Sequence, residues 1–382
     1  MPGFEERCIS IRDKEGRMQA SLVQNFAFKG IMSMPELVHT LRRYQTLQTG
    51  RITALPIVIL MPHSACNCKC VMCDIWKGNH NLKQLTEEDV EGLVVGLRRY
   101  GTRQVLMSGG EALLNPNFFR LCAMLKKEDI RITLLSTGLA LGRHADNILE
   151  YVSDVIVSLD GDEELHDTIR NIPGAFRKMK QGILQLHAQR PGFTVTGRTV
   201  IHRLNFRRLP AIIEAAKELG LHQISFLPAD VTSEAFNRSN PWDEPRQHEI
   251  LPSREELPEL LSMLDSVIED YAPLFASRYI AEAPAKLRKI GEYYMASHGQ
   301  NPYPYKKCNA PWVSTVIEAD GTVRPCFFLP PLGNIHEQDL PAILNSPEAI
   351  AFRRTLDMEK NETCLRCVCY LNLSPRAKLN KG

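Results

Sequence analysis

Long hydrophobic runs are missing from this chain. The longest, Pro56 to Met61, is far too short to cross a bilayer, so no membrane association is expected. The N-terminal MPGFEERC lacks a basic patch followed by an apolar core, so no secretory signal is read and a cytoplasmic protein is expected. A surplus of one charge is missing as well. Lys and Arg number 46 against 44 Asp and Glu, and a net charge of +2 speaks against nucleic acid as a partner. There is no low-complexity tract. With 44% hydrophobic residues over 382 positions, the chain suits a large globular domain joined to a smaller one.

Cysteine is not scarce. Eleven are many for a chain without an export signal, and in a reducing compartment metal or cluster binding explains them better than disulfides. They fall into two groups, and only Cys8 and Cys122 stand apart. Cys122 lies on the apolar helical face FFRLCAMLKK and reads as core. Cys66, Cys70 and Cys73 form a C-x-x-x-C-x-x-C loop inside HSACNCKCVMCDIW. Three thiolates on a short loop can hold three corners of a 4Fe–4S cubane and leave its fourth iron open. A zinc knuckle completed by His63 is the alternative. Cys68, inside the motif, is read as a non-ligand because the flanking three already match the spacing. Cys308, Cys326, Cys364 and Cys367 supply four further ligands, enough to close a second cluster. Cys369 could replace Cys367, and a four-cysteine zinc site remains the alternative.

From Pro56 the chain alternates short apolar strands with amphipathic helices. The strands are PIVILM, QVLMS, RITLLS, VIVSL, FTVTGRTVI and QISFLP. Helices are expected near Met34–Leu47, Thr86–Tyr100, Asn117–Lys127, Leu141–Val152, Gly174–Gln189 and Leu209–Leu219, with Thr86 as an N-cap and Asp89 in the first turn. Six strands alternating with helices signal a parallel α/β sheet, whose ligands sit at the C-terminal strand ends. Periodicity alone does not separate a barrel from an open sheet. A further helix is expected at Arg254–Tyr271, and Asp320-Gly321 between β-branched runs predicts a hairpin that draws the flanks of Cys308 and Cys326 together.

Polar motifs follow the strands in order. They are Ser108-Gly109-Gly110-Glu111, then Ser136-Thr137-Gly138, then Ser158-Leu159-Asp160-Gly161 with Asp167-Thr168-Ile169-Arg170 behind it. Each alone reads as a turn or a surface ion pair. Together with the cysteine loop they resemble the radical S-adenosylmethionine (SAM) superfamily. That resemblance implies a partial (β/α)6 TIM-like barrel, open on one side. It also implies that SAM chelates the open iron. Gly109, Gly110 and Glu111 would hold its amino group. Ser136, Ser158, Asp160 and Arg170 would contact its ribose and carboxylate, and Leu227 beside Phe226 would pack on adenine. Ala112 stands where the family often has Pro, and Met72 where it commonly has an aromatic, with Trp76 nearby.

The C-terminal cysteines resemble the SPASM and twitch auxiliary-cluster regions, which implies a second, fully ligated 4Fe–4S cluster. The twitch form is favoured, because a two-cluster SPASM domain needs cysteines at spacings absent here. The expected organisation is an N-terminal extension over 1–51, the barrel over 52–230, a helical bridge over 231–302 and the auxiliary-cluster region over 303–382. The resemblance implies reductive cleavage of SAM to a 5′-deoxyadenosyl radical, hydrogen abstraction from substrate, and an auxiliary cluster that takes or relays an electron. An electron donor such as flavodoxin or ferredoxin is the implied partner. The cysteine spacing resembles twitch-type alcohol dehydrogenases of aminocyclitol pathways, which implies a sugar- or cyclitol-like alcohol substrate. Peptide maturation is the second enzymatic reading, and a non-catalytic zinc or electron-carrier protein the third. Arg198, His202 and Asp230 are candidate substrate contacts, with packing roles as the alternative.

Overall fold

The computed structural model describes residues 34–379 apart from Ser239. Cys8 and most of the expected N-terminal extension lie outside the described residues. The first described element is a helix, Met34–Thr49.

Six strands then run parallel: β1 (Ile57–Leu60), β2 (Gln104–Met107), β3 (Arg131–Ser136), β4 (Asp154–Ser158), β5 (Val195–Ile201) and β6 (Ile224–Pro228). Their burial alternates. Val105 and Met107, Val155 and Val157, and Val195 and Ile201 are fully covered. Leu106, Ile156, Ser158, Arg198, Val200 and Leu227 are half-buried and share the opposite face. This is the period of two of a strand, with the covered set against helices and the other set facing the mouth of the sheet.

The connecting helices have legible punctuation. Helix Glu87–Tyr100 opens on a capping box, Thr86 and Asp89 satisfying each other's backbone N–H, and ends at left-handed Gly101. The Leu141–Val152 expectation resolves into a 3-10 turn, Gly142–His144, and a helix, Ala145–Tyr151. Sequence reading missed helix Glu163–Arg170. Its signal was Asp162, whose side chain accepts from the Leu165 N–H at 3.2 Å as an N-cap.

The barrel is open, in agreement with the expected fold class. The sheet order is β6-β5-β4-β3-β2-β1-β7-β8-β9, so β6 never meets β1. The expected hairpin, β7 (Ser314–Ile317) and β8 (Thr322–Arg324), forms and is followed by β9 (Gly333–Asn334). Its placement was not foreseen. Strand β7 pairs in parallel with β1, so the C-terminal cysteine region extends the same nine-stranded sheet. One apolar core runs from Ile52 through the strands to Ile317, Val323 and Leu340–Leu344. Polar staples reinforce the join. The Asn345 amide accepts from Ile52 N–H at 2.7 Å and donates to Ile52 C=O at 3.0 Å. Arg353, buried, donates to the Gly50 carbonyl at 2.6 Å.

Between β6 and the short helix Ala310–Val313 that leads into β7 lie helices Glu244–Ile250, Leu257–Asp270, Ala272–Ala276 and Pro284–Ser297. The third contributes no fully buried residue. The last buries Tyr293 and Tyr294 against the barrel.

Candidate active site

The cysteine loop leaves the C-terminal end of β1 and is held by two neighbours. One is the last turn of helix Glu163–Arg170: Lys69 N–H donates to Arg170 C=O at 3.1 Å and Val71 N–H to Ile169 C=O at 3.0 Å. The other is the Gly-Gly-Glu turn after β2. Glu111 N–H donates to Ala65 C=O at 2.9 Å. A Cβ on Gly110 would lie 2.1 Å from that same oxygen, and Gly109 sits at φ +107°, so both positions require glycine.

Glu111 is completely buried. Its carboxylate accepts from Thr137 N–H at 2.8 Å, from the Thr137 hydroxyl at 2.6 Å, from Ser136 Oγ at 3.0 Å and from Leu113 N–H at 3.3 Å. Burial raises its pKa above the usual carboxylate range, and these donors oppose the shift. The carboxylate expected to take an ammonium group is thus engaged by its own chain. It ties the β2 turn to the β3 turn.

Asp160 and Arg170 form a fully buried ion pair at the mouth of β4. Arg170 also reaches Cys70 Sγ at 3.4 Å. Burial works against the guanidinium charge, but Asp160 and the neighbouring thiols outweigh it, so Arg170 stays charged. His166 and His202 flank this pair and are themselves buried. Asp160 N–H donates to His166 Nδ1 at 3.4 Å, and Leu204 N–H donates to His202 Nδ1 at 3.3 Å. In both neutral rings the proton therefore sits on Nε2. Burial, then the Arg170 charge, holds both histidines down to about 3. Neither Nε2 has a partner among the described residues, and Arg170 Nε has none either. Buried donors without acceptors are costly. A polar ligand bearing carboxylate or hydroxyl acceptors satisfies this set, as SAM would.

The three motif cysteines are free thiols that act on one another electrostatically, and burial pushes Cys66 and Cys73 up to about 12. The Cys68 thiol and the Arg170 guanidinium hold Cys70 below the ordinary range. Cys68 is buried beside Cys70. Trp76 Nε1 folds back onto the Cys73 carbonyl at 2.9 Å. In the second group, Cys326 and Cys364 are pushed up by burial, to about 12 and about 11, and both interact with Cys308. Cys367 is raised by burial and interacts with Cys326 and Cys369, while Cys369 itself is exposed. Among the described residues no three His, Cys, Asp or Glu side chains close on a point tightly enough to hold one metal ion.

The other expected residues fall as follows. Ser158 and Arg198 share the open face of the sheet, Arg198 donating to Ser225 Oγ at 3.4 Å. Leu227 is half-buried on that face, whereas Phe226 is in the core. His202 is fully buried beside Arg170. Asp230 is not free for a substrate: it forms a buried ion pair with Arg238 at 2.7 Å and accepts from Ser233. It anchors a strap, residues 230–238 and 240–246, which sequence reading assigned only to the helical bridge. Trp242 in the strap donates to Asp74 Oδ2 at 2.6 Å, directly after Cys73, and Arg246 donates to Val71 C=O. Phe236 packs against Phe327 and Phe328, directly after Cys326, with ring centroids 5.1 and 6.2 Å apart. The strap thus touches both cysteine groups. Its signal was an aromatic and arginine interleaving, Phe236, Arg238, Trp242 and Arg246.

The radical SAM superfamily model matches residues 60–216, and the model of the SPASM iron–sulfur cluster-binding domain matches 308–368. The chain is a radical SAM protein with a C-terminal SPASM domain. A 4Fe–4S cluster, SAM and an auxiliary iron–sulfur cluster are its cofactors. Among relatives of this radical SAM chain, Fe-coproporphyrin III synthase of Methanosarcina barkeri is 27% identical over 347 residues, 86% of this chain and 85% of its own. The subtilosin biosynthesis protein AlbA of Bacillus subtilis is 22% identical, covering 80% of this chain and 62% of AlbA. The structure of Streptococcus suis SuiB superposes with a TM-score of 0.60 at 14% identity, over 91% of this chain and 80% of SuiB, and shares the fold. No described helix is long and apolar enough to cross a membrane.

Proposed function

We propose that this radical SAM enzyme oxidises an iron-porphyrin-type substrate held between its two cysteine groups. The observation that carries this reading is near full-length correspondence. Fe-coproporphyrin III synthase aligns over 85% of its length, and AdoMet-dependent heme synthase of the same organism, also 27% identical, over 83%. The Phe236, Phe327 and Phe328 rings, tilted or edge-to-face to one another, add apolar surface against which a macrocycle would pack.

When bound, the three-cysteine cluster and SAM supply a 5′-deoxyadenosyl radical by one-electron cleavage of the sulfonium bond. The chain's residues do the rest. Cys66, Cys70 and Cys73 would hold the cluster. Arg170 would meet the SAM carboxylate, Ser158 and Asp160 the ribose, and Leu227 the adenine. Glu111, fixed by Ser136 and Thr137, would set the Gly109-Gly110 carbonyls toward the ammonium. The buried Nε2–H groups of His166 and His202 would donate to the remaining acceptors. Cys308, Cys326, Cys364 and Cys367 would hold the auxiliary cluster, which would accept the second electron of the oxidation. The strap would exclude water from between the two sites.

Peptide maturation is the second reading. The names of AlbA and of the sporulation killing factor maturation protein SkfB favour it, although they are covered over only 62% and 68% of their lengths. The sugar- or cyclitol-type alcohol has no comparable support. Anaerobically reconstituted protein, given SAM and dithionite, is expected to form 5′-deoxyadenosine faster with Fe-coproporphyrin III or with an iron-tetrapyrrole precursor of it, and to change the mass of that macrocycle. No shift of the porphyrin absorption band on mixing, together with no stimulation, would overturn the reading.

A further inference from the structure

Lys306 is a half-buried cation that no part of the radical chemistry above uses. Its ammonium donates to the Leu365 carbonyl at 2.7 Å, and Leu365 lies between Cys364 and Cys367. The Tyr293 and Tyr303 rings stand 5.6 and 5.9 Å from it. Tyr293 is completely enclosed, so that side of the ammonium meets little water. No carboxylate lies within ion-pair distance of Lys306 among the described residues. Lys306 stands two residues before Cys308, and its bond to Leu365 sets it against the turn that carries Cys364 and Cys367. Thiolates binding a cluster there would be its counter-ions.

We propose that Lys306 is a positioning residue whose fixed charge raises the reduction potential of the auxiliary cluster, making that cluster the electron acceptor of the pair. A cubane bound by four thiolates is already anionic and becomes one charge more negative when it takes an electron. A fixed cation stabilises the reduced form more than the oxidised form. The effect is strong where side chains rather than water set the dielectric. By pinning the 364–367 turn to the segment that carries Cys308, the same hydrogen bond keeps the charge at a constant distance. Reduction here adds one electron and no proton.

The inference rests on the auxiliary cluster and is separable from it. The test uses full-length protein with Cys66, Cys70 and Cys73 all changed to Ala, so that only the auxiliary cluster gives a signal. Iron content is measured first; a chain without the remaining cluster would defeat the auxiliary-cluster reading itself, independently of Lys306. Electron paramagnetic resonance is then followed through a mediated dithionite titration. Lys306→Met, of similar length and neutral, is expected to keep its iron and to titrate at a more negative potential. Lys306→Arg is expected to restore the parent value. Equal potentials for Lys306→Met and the parent would overturn the proposal. So would an equal negative shift in Lys306→Arg, or iron lost from Lys306→Met, which would make Lys306 a structural staple alone.

Discussion

Replacing Gly110 by Ala probes the contact on which the active-site geometry rests. The new Cβ would sit 2.1 Å from the Ala65 carbonyl oxygen and 2.6 Å from its carbon, against 3.4 Å or more for an ordinary contact. Both neighbours are backbone, so no side chain can swing aside. The Gly-Gly-Glu turn and the cysteine loop must part by roughly an ångström, which breaks the 2.9 Å bond from Glu111 N–H to Ala65 C=O. Overpacking of this kind costs about 1–3 kcal/mol and the lost hydrogen bond about 1 kcal/mol. The total, about 2–4 kcal/mol, lowers the melting temperature by roughly 2–5 °C for a chain of this size. Ala65 precedes Cys66, so the displaced loop should also load less iron. The assay is anaerobic reconstitution, iron per chain and a thermal melt. Gly92→Ala is the control. Gly92 is exposed on helix Glu87–Tyr100 with nothing within 4 Å of a new Cβ, and the change should stabilise by up to about 1 kcal/mol. Full iron loading and an unshifted melt for Gly110→Ala would refute the reasoning.

Asp160→Ala leaves Arg170 charged and unpaired in the interior and should cost about 3–5 kcal/mol in a urea titration; a loss below 1 kcal/mol would mean that the pair is solvated. His166 and His202 are held down to about 3 in the fold, whereas free histidine titrates near 6.5. The unfolded chain therefore binds protons that the native rings refuse. Stability should fall as pH drops from about 6.5 toward 3, by up to about 1.4 kcal/mol per pH unit for each ring. Comparing urea midpoints at pH 7.5 and 5.5 should show a smaller difference in His166→Gln, and an identical difference would contradict the burial argument. Cys369→Ser should retain auxiliary iron while Cys367→Ser loses it, because Cys367 is half-buried toward Cys326 whereas Cys369 is exposed; the reverse pattern in an iron assay would reassign the ligand. Thr86→Ala removes the capping box and should cost about 1 kcal/mol by thermal melt, with catalysis unchanged.

Much of the fold was legible because its signals are local. The runs QVLM and RITLLS are strands at the expected residues, and Thr86 with Asp89 announced a helix that begins at the next residue. The motif turns sit at strand ends for the same reason. Helix Glu163–Arg170 escaped because it is short and follows a turn motif, although Asp162 marked its start. Asp230, at a strand end, suits a substrate contact and a packing role equally well by sequence. Its partner, Arg238, lies in a segment without periodicity, so nothing in the pattern announced the pair.

The sequence by itself determined the chemistry: which cysteines lie in sets of three and of four, and which polar turns follow which strands. Backbone periodicity and ligand spacing are properties of neighbours along the chain. Only the tertiary structure decided that β7 joins β1 and carries the second cysteine group onto the same sheet. It alone decided that the strap spans both groups through Trp242 and Phe236, and that Lys306 bonds the turn between Cys364 and Cys367. Those contacts join residues far apart in sequence. They arise from burial of a shared apolar core, which no local pattern records.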